Sequence, residues 1–433
     1  MSILIYTHPI TPRIKYTFNL VFKTILNTEY EVTSDVAFLK KSTLPKLAYA
    51  NENVGFDVFV KSEGLLTETN IRHESPTTNA TYINLPQFFT TIKSAWIPYD
   101  LFATVFYFAT RYEEYVEHET DKHSRFQAEQ SIAFKNNLLQ IPFLNILIQD
   151  FATKLTQQFP QLKFEKRTFN FLSTIDIDNV FAYAHKGLKR NIGGLLKDSS
   201  SFKFNQISKR ISSIINSTND PYNTFDVIHK LTEKATLQYF LLIGDYSDYD
   251  KNPHYQNAGF RKLIKKLASN HTIGLHPSYK SYNQLEKIDI EKKRIEDIIE
   301  KKITDARCHF LRIKFPETYR AFIEAGITDD YTMIYASQSG FRTGLCTPYK
   351  WFDLQKNEST ELTIHPSTVM EGTLRDYNKL SSNQATAYIN KLMIEVKNQG
   401  GEFVSIWHND SFVKEQQEWI DVYKHTVLNS KNL

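Results

Sequence analysis

The segment STIDIDN, Ser173–Asn179, sets Asp176 and Asp178 two residues apart at the end of TFNFLSTI, a run whose apolar and β-branched content predicts a buried strand. Residues i and i+2 of a strand point to one side, so the two carboxylates can share a metal, a proton or a bound water. Two acids held this close call for a cation to offset their repulsion. Residues able to act with them stand at or near the ends of other strand-like runs. His276 closes TIGLH, Arg312 lies in CHFLRI, His365 follows ELTI, and His408 closes EFVSIWH. Taken singly, a DxD reads as a turn-capping pair and a lone histidine as a core or surface residue. Together they supply a base for water, a cation for an oxyanion and an acid for a leaving group, which is what hydrolysis of an amide or ester requires.

Convergence of these residues needs elements that bring strand ends together. After PQLKFEKR the chain alternates strand and helix patterns, with strand runs TFNFLSTIDID, ATLQYFLLIG, TIGLH, CHFLRI, YTMIYA, ELTIHPS and EFVSIWHN. This alternation predicts an α/β fold, a distorted (β/α)7-type barrel over residues 166–433, whose C-terminal strand ends gather the polar groups. Residues 1–165 predict a smaller mixed α/β domain that opens with the strand SILIYT and ends in two helices, YDLFATVFYFATRYEEYVEHE and PFLNILIQDFATKLTQQF. The polar stretch between those helices reads as a long loop, and no catalytic set stands out in this part.

Composition narrows the partners. The chain has 433 residues and a formal net charge of +4, with cations scattered and often alternating with acids, so no nucleic-acid footprint is expected. Cys308 and Cys346 are its two cysteines and lack metal-site spacing, which argues against a disulfide framework or a zinc finger. The early apolar run is too short for a secretory signal, and no run approaches the roughly 18 apolar residues of a membrane span. A cytoplasmic protein without an integral membrane segment is the expectation. Gly193 and Gly194, in RNIGGLL, lack the GxGxxG frame of a nucleotide site. Nothing in the residues selects an oligomeric state.

The order of the motifs resembles the polysaccharide deacetylase family, carbohydrate esterase family four. TIDID resembles its T-F-D-D-G motif, ATLQYF its A-T-F-F strand, HPSYK its H-S-x-x-H, RIKFP its R-x-P and IWH its closing L-x-H. The resemblance implies removal of acetyl groups from saccharides by a barrel with a bound divalent metal, zinc. By position it implies Asp176 as catalytic base, Arg312 as the residue that orients and charge-balances it, His408 as the acid for the leaving group, and Asp178 and His276 as metal ligands. The family's second Asp falls at Ile177, for which Asp178 substitutes. Its second metal histidine falls at Lys280, so His365 or another residue completes the coordination, or the metal is bound weakly, or the Lys280 ammonium itself offsets the acids. Asp353, in PYKWFDL, would tune His408. Read from their chemistry, Trp351, Trp407 and Tyr279 are aromatics that would line a sugar subsite, the alternative for tryptophan being a place in the core.

The stretches RYEEY, GLHPSY, PETYRAFIEAGITDDYTM, GFRTG and IWHN further resemble a Bacteroidetes branch in which a domain of unassigned function precedes a divergent deacetylase domain. The expected substrate is then an acetylated amino sugar in a surface-glycan precursor. Ile177 and Lys280 support an alternative, a barrel that has lost catalysis and binds a glycan or an assembly partner. A third possibility is a hydrolase for a non-saccharide amide.

Overall fold

A parallel four-stranded sheet forms first. Strands β1 (Ile3–Tyr6), β2 (Tyr30–Thr33), β3 (Lys46–Ala50) and β4 (Phe59–Lys61) pair in the order β2-β1-β3-β4. A helix beginning at Pro12 crosses from β1 to β2, and Thr11 caps it by accepting the N–H of Ile14. The computed structural model describes residues 2–432 other than 75, 77, 79–80, 92–94, 166 and 234, so residue 166 at the expected domain boundary lies outside the described residues. A short ribbon, β5 (Thr81–Tyr82) and β6 (Leu85–Pro86), precedes two buried helices, Leu101–Ala109 and Phe143–Gln158.

The remaining strands form one sheet. They are β7 (Asn170–Ile177), β8 (Thr236–Leu241), β9 (Thr272–Leu275), β10 (Asp305–Ala306), β11 (Asp329–Asp330), β12 (Tyr349–Asp353), β13 (Glu358–Ile364), β14 (Ser367–Met370) and β15 (Glu402–His408). Their order is β12-β13-β11-β10-β9-β8-β7-β15-β14, parallel except where β12 runs against β13. The α/β class and the strand–helix alternation are therefore present. The expected barrel is not formed as a closed sheet among the described residues. Its would-be closing strand is split at His365-Pro366, so β13 pairs with β11 while β14 pairs with β15. Proline has no N–H for the ladder, which suits it to such a break. Strands β10 and β11 stop after two residues because the segments that follow them leave the ladder and turn into the cavity described below.

The two sheets share one apolar core, and a buried ionic lock ties RYEEY to GFRTG. Arg111 follows the helix Leu101–Ala109 with a left-handed φ of 56°. Its guanidinium donates to Glu114 Oε1 (2.7 Å), Glu113 Oε1 (2.8 Å), the Tyr335 hydroxyl (2.7 Å) and the Arg342 carbonyl (2.6 Å). Arg342 grips the same Glu114 through two nitrogens, at 3.0 and 2.5 Å. Every partner is almost fully buried, so removing one cation strands a carboxylate in the interior. Arg342→Ala is expected to lower unfolding stability by about 3–5 kcal/mol in a denaturant titration, and a loss below about 1 kcal/mol would refute a tight lock.

Candidate active site

Strand register assembles the site. Asp176 on β7 lies opposite His408 on β15 and beside Phe240 on β8. Alternation turns Ile177 into the apolar core, where it is 1 % exposed, and returns Asp178 to the side of Asp176. That is the physical sense of a DxD at this strand end. His276 follows β9 directly, with its N–H on the Leu241 carbonyl (2.9 Å), and Arg307 follows β10 with its N–H on the Leu275 carbonyl (3.0 Å). Beyond Arg307 the chain turns through Phe310 and Leu311, both at positive φ, and this turn presents His309.

Each acid has its own partners. Arg307, fully buried, donates to Asp176 Oδ1 at 2.7 Å and to Thr174 Oγ1 at 2.7 Å, with its guanidinium over the Phe240 ring. Asp176 Oδ2 accepts no hydrogen bond among the described residues and lies 3.9 Å from His276 Nε2. Asp178 stands 3.1 Å from His276 Nε2, 3.4 Å from His309 Nε2 and 3.8 Å from His408 Nε2. The three imidazoles are anchored from behind. His276 Nδ1 donates to the Arg307 carbonyl (2.5 Å), His309 Nδ1 to Asp250 Oδ1 (3.0 Å) and His408 Nδ1 to Glu371 Oε1 (2.8 Å). A carbonyl or carboxylate only accepts, so each ring turns Nε2 toward Asp178.

Electrostatics follow from this packing. Burial would raise Asp178, but the charge of His309, with the Nε2 atoms of His276 and His309 close by, holds it well below the usual carboxylate range. Burial would lower His309, yet Asp178 and Asp250 push it up to about 9. For His408 the burial penalty is likewise outweighed, chiefly by Glu371, and its value lies well above that of a free histidine.

Asp178, His276 and His309 each offer one ligand atom, and those atoms all lie within 4.8 Å of one another. Asp178 Oδ1 is buried without a hydrogen-bond partner among the described residues, although His276 Nε2 is 3.1 Å away. One carboxylate and two imidazoles with Nδ1 already committed form a donor set suited to a divalent ion such as zinc, which on binding would displace the Nε2 proton of His309 and leave coordination positions for substrate and water. Asp250, which is fully buried and also accepts from Ser247 Oγ and the Tyr279 N–H, would orient His309 from behind. The residues present therefore fit a metal.

A cavity of about 280 Å³ is lined by Asp176, Asp178, His276, His309, His408 and, from the N-terminal part, Arg125.

Residues 3–160 match a family of unknown function, DUF7033, which spans under half of the chain. No curated protein is similar to the chain. Among solved structures, it is similar to a candidate polysaccharide deacetylase from Mycobacterium smegmatis at 12 % identity and a TM-score of 0.40, over 61 % of this chain and 84 % of that one. It is also similar to a polysaccharide deacetylase from Bacillus cereus at 15 % identity and a TM-score of 0.28, over 62 % and 89 % of the two chains. At these values neither likeness bears on the reaction.

The structure gathers Asp176, Asp178, His276 and His408 and sends the other expected residues elsewhere. Arg312 does not touch Asp176. It donates to the carbonyls of His123 and Tyr279 (2.7 Å each) between the Tyr279 and Tyr282 rings, bracing an N-terminal loop against the turn after His276. Lys280 is exposed on that turn, and His309, not Lys280, lies beside Asp178 and His276. His365 bridges Glu402 (2.8 Å) and Asp329 (3.1 Å) at the opposite, N-terminal ends of β15 and β11. Asp353 is held by Arg320, while Glu371 is the acid on His408. Trp351 and Trp407 are core residues, 2 % and 1 % exposed. Tyr279 stacks on Tyr249 at 4.2 Å, and Phe310, 5.2 Å from it, forms the cavity wall.

Sequence reasoning missed Arg307, His309, Glu371, Asp250 and Arg125. The run CHFLRI has the composition of a strand, whereas β10 ends at Ala306. The strand-end rule, applied to the true strand, points to Arg307 and His309.

Proposed function

We propose that the chain is a metal-assisted hydrolase that removes an acetyl group from an amino sugar. The observation that carries this reading is the unpartnered, buried Oδ1 of Asp178 facing two oriented histidines, with Asp176 beside it and His408 across from it. Asp178, His276 and His309 would hold the ion, which when bound supplies a Lewis acid for the acyl carbonyl. Asp176, fixed through Oδ1 by Arg307, presents Oδ2 to take a proton from water. His408, kept protonated by Glu371, donates from Nε2 to the departing nitrogen. Phe310, Leu311, Ala336 and Met370 give the cavity an apolar wall suited to an acetyl methyl.

Ile177 and Lys280 supported a non-catalytic barrel as sequence features. Ile177 now has a place in the core and Lys280 a place in solvent, with His309 supplying the missing donor. The same proposal places the reaction in the cytoplasm, on a surface-glycan precursor. A direct test is metal analysis of the purified protein together with acetate release from N-acetylated oligosaccharides, with and without chelator. Stoichiometric metal and chelator-sensitive release are expected. Acetate release that persists in metal-free protein would end the reading.

Arg125 gives the N-terminal part a role in this site. Its guanidinium pairs with Asp121 and donates to the Phe310 carbonyl (3.1 Å) and the Tyr377 hydroxyl (3.2 Å). Arg125, Leu311, Ala336 and Tyr377 also border an adjoining cavity of about 210 Å³, room for a neighbouring sugar. Arg125→Ala is expected to raise KM by at least ~10-fold with little change in kcat, roughly the loss of one charge-assisted hydrogen bond. Unchanged KM on an oligosaccharide would detach this loop from substrate binding.

A further inference from the structure

The connection between β7 and β8 carries two helices, Leu188–Ser200 and Phe204–Ile215, folded into a hairpin whose polarity is inverted. Its buried side chains are polar. Asn191, Asp198 and Ser213 are 8 %, 6 % and 0 % exposed, and Arg210 reaches between the helices to Asp198 (2.8 Å) and Asn191 (3.3 Å) while covering the Tyr183 ring. Gly194 makes room for that guanidinium, since a Cβ there would fall 2.4 Å from it. Most of its large apolar side chains face outward, among exposed serines and lysines, while Leu195 and Ile207 are half-buried. Leu188, Ile192 and Leu196 recur every four residues on the first helix, 77 %, 47 % and 67 % exposed. Phe202 and Phe204 stand at the turn, and Ile211, Ile214 and Ile215 continue along the second helix, with Phe202 and Ile215 about four-fifths exposed.

A helix normally turns its apolar stripe to the core. Here two consecutive helices turn it to the outside while a buried ion pair holds them to each other. Exposed apolar area of this extent marks a surface that is covered in use. Charge says what covers it. Between residues 186 and 210 the sequence carries seven cations, Lys186, Lys189, Arg190, Lys197, Lys203, Lys209 and Arg210, against the single anion Asp198. Arg210 is spent on Asp198 and Lys209 on Glu415, while Lys197 and Lys203, flanking the turn, are exposed and have no ion pair among the described residues. Apolar stripes with aromatic residues at the tip and a cationic excess around them match an anionic bilayer surface, in which such helices lie with the apolar face among the acyl chains and the lysines at the headgroups.

We propose that this hairpin seats the protein on the surface of an anionic lipid membrane. The inference goes beyond the proposed reaction and does not depend on it. The hairpin leaves the sheet from the strand end that carries Asp178, and its base packs on the loop after β8, where Arg190 donates to the Lys251 carbonyl (3.0 Å) and lies over Tyr246. The cavity and the membrane-facing hairpin thus share one end of the sheet. On the proposed reaction, this favours a saccharide carried on a lipid.

The test is co-sedimentation of the full chain with pure phosphatidylcholine vesicles and with mixed phosphatidylcholine/phosphatidylglycerol vesicles. Wild type is expected to partition into the mixed vesicles at least ~10-fold more strongly, weakening as salt rises. Leu196→Ser/Phe202→Ser/Phe204→Ser/Ile215→Ser should lose at least ~10-fold of that partition with an unchanged unfolding midpoint. Lys197→Glu/Lys203→Glu, with the apolar face intact, should lose the preference for anionic lipid. Absence of wild-type binding, equal binding to both vesicles, or variants that bind like wild type would each overturn the proposal. So would sedimentation velocity showing a wild-type dimer that the quadruple variant abolishes, because the face would then be a contact between two copies. None of these readouts uses turnover, so failure here and failure of the deacetylase reading are separable.

Discussion

Asp176→Asn is expected to lower turnover by about 100- to 10,000-fold while leaving the metal-binding set intact. The amide keeps the size of the carboxylate and can still offer its oxygen to Arg307, which holds Oδ1 at 2.7 Å. What it loses is basicity at the atom corresponding to Oδ2, the one oxygen of Asp176 free to face water. Because Arg307 is wholly buried, the substitution also leaves its charge less well matched, and a moderate fall in stability should accompany the loss of activity. The two effects are separated by measuring turnover well below the unfolding transition and titrating metal into the variant. Turnover within about ten-fold of wild type in metal-loaded protein would remove Asp176 from the role of base.

The legible part of the site was what strand periodicity determines. Asp176, Asp178, His276 and His408 sit at or just after the ends of largely apolar and β-branched strand runs, so their convergence is arguable from the sequence. Arg312 and His309 were exchanged in importance because CHFLRI has the composition of a strand but folds as a turn through two left-handed residues, Phe310 and Leu311. No local pattern announces such a turn in non-glycine residues. His365 misled for a different reason. The strand it interrupts runs on into β14, so its position reads as a strand end although its side chain faces the acids at the far side of the sheet. Trp351 and Trp407 were assigned by chemistry alone, and burial places both in the core. Most apolar residues of the hairpin after β7 face outward, a pattern that sequence does not distinguish from an ordinary core-facing stripe.

The closed barrel is the fold-level counterpart. Seven strand–helix steps were visible in the sequence, but sheet closure depends on pairing across His365-Pro366, where the ladder changes partner. The N-terminal part carried no catalytic pattern because its contribution is made by single residues. Arg125 reaches the cavity from a polar loop, and Arg111 and Glu114 fix that part against Arg342. The contacts to Arg342 join residues more than 200 positions apart and that of Arg125 to Phe310 spans 185, beyond the reach of any spacing rule.

His309→Ala should be the most damaging change to metal binding. It removes one of three donors and leaves only Asp178 and His276, too few ligands to hold zinc tightly. A drop of at least ~100-fold in zinc affinity by calorimetry is expected, and retention of wild-type affinity would mean that the site lies elsewhere. Asp250→Asn tests the same geometry from behind, since it leaves every donor in place and weakens only the carboxylate on His309 Nδ1. Its cost should be about 10- to 100-fold in affinity. Lys280→His is the contrasting case. The position matches the family's second metal histidine by sequence, but its side chain is exposed, so no gain in affinity is expected. A substantial gain, together with an unaffected His309→Ala, would return the second histidine's place to position 280 and make His309 a structural partner of Asp250 alone.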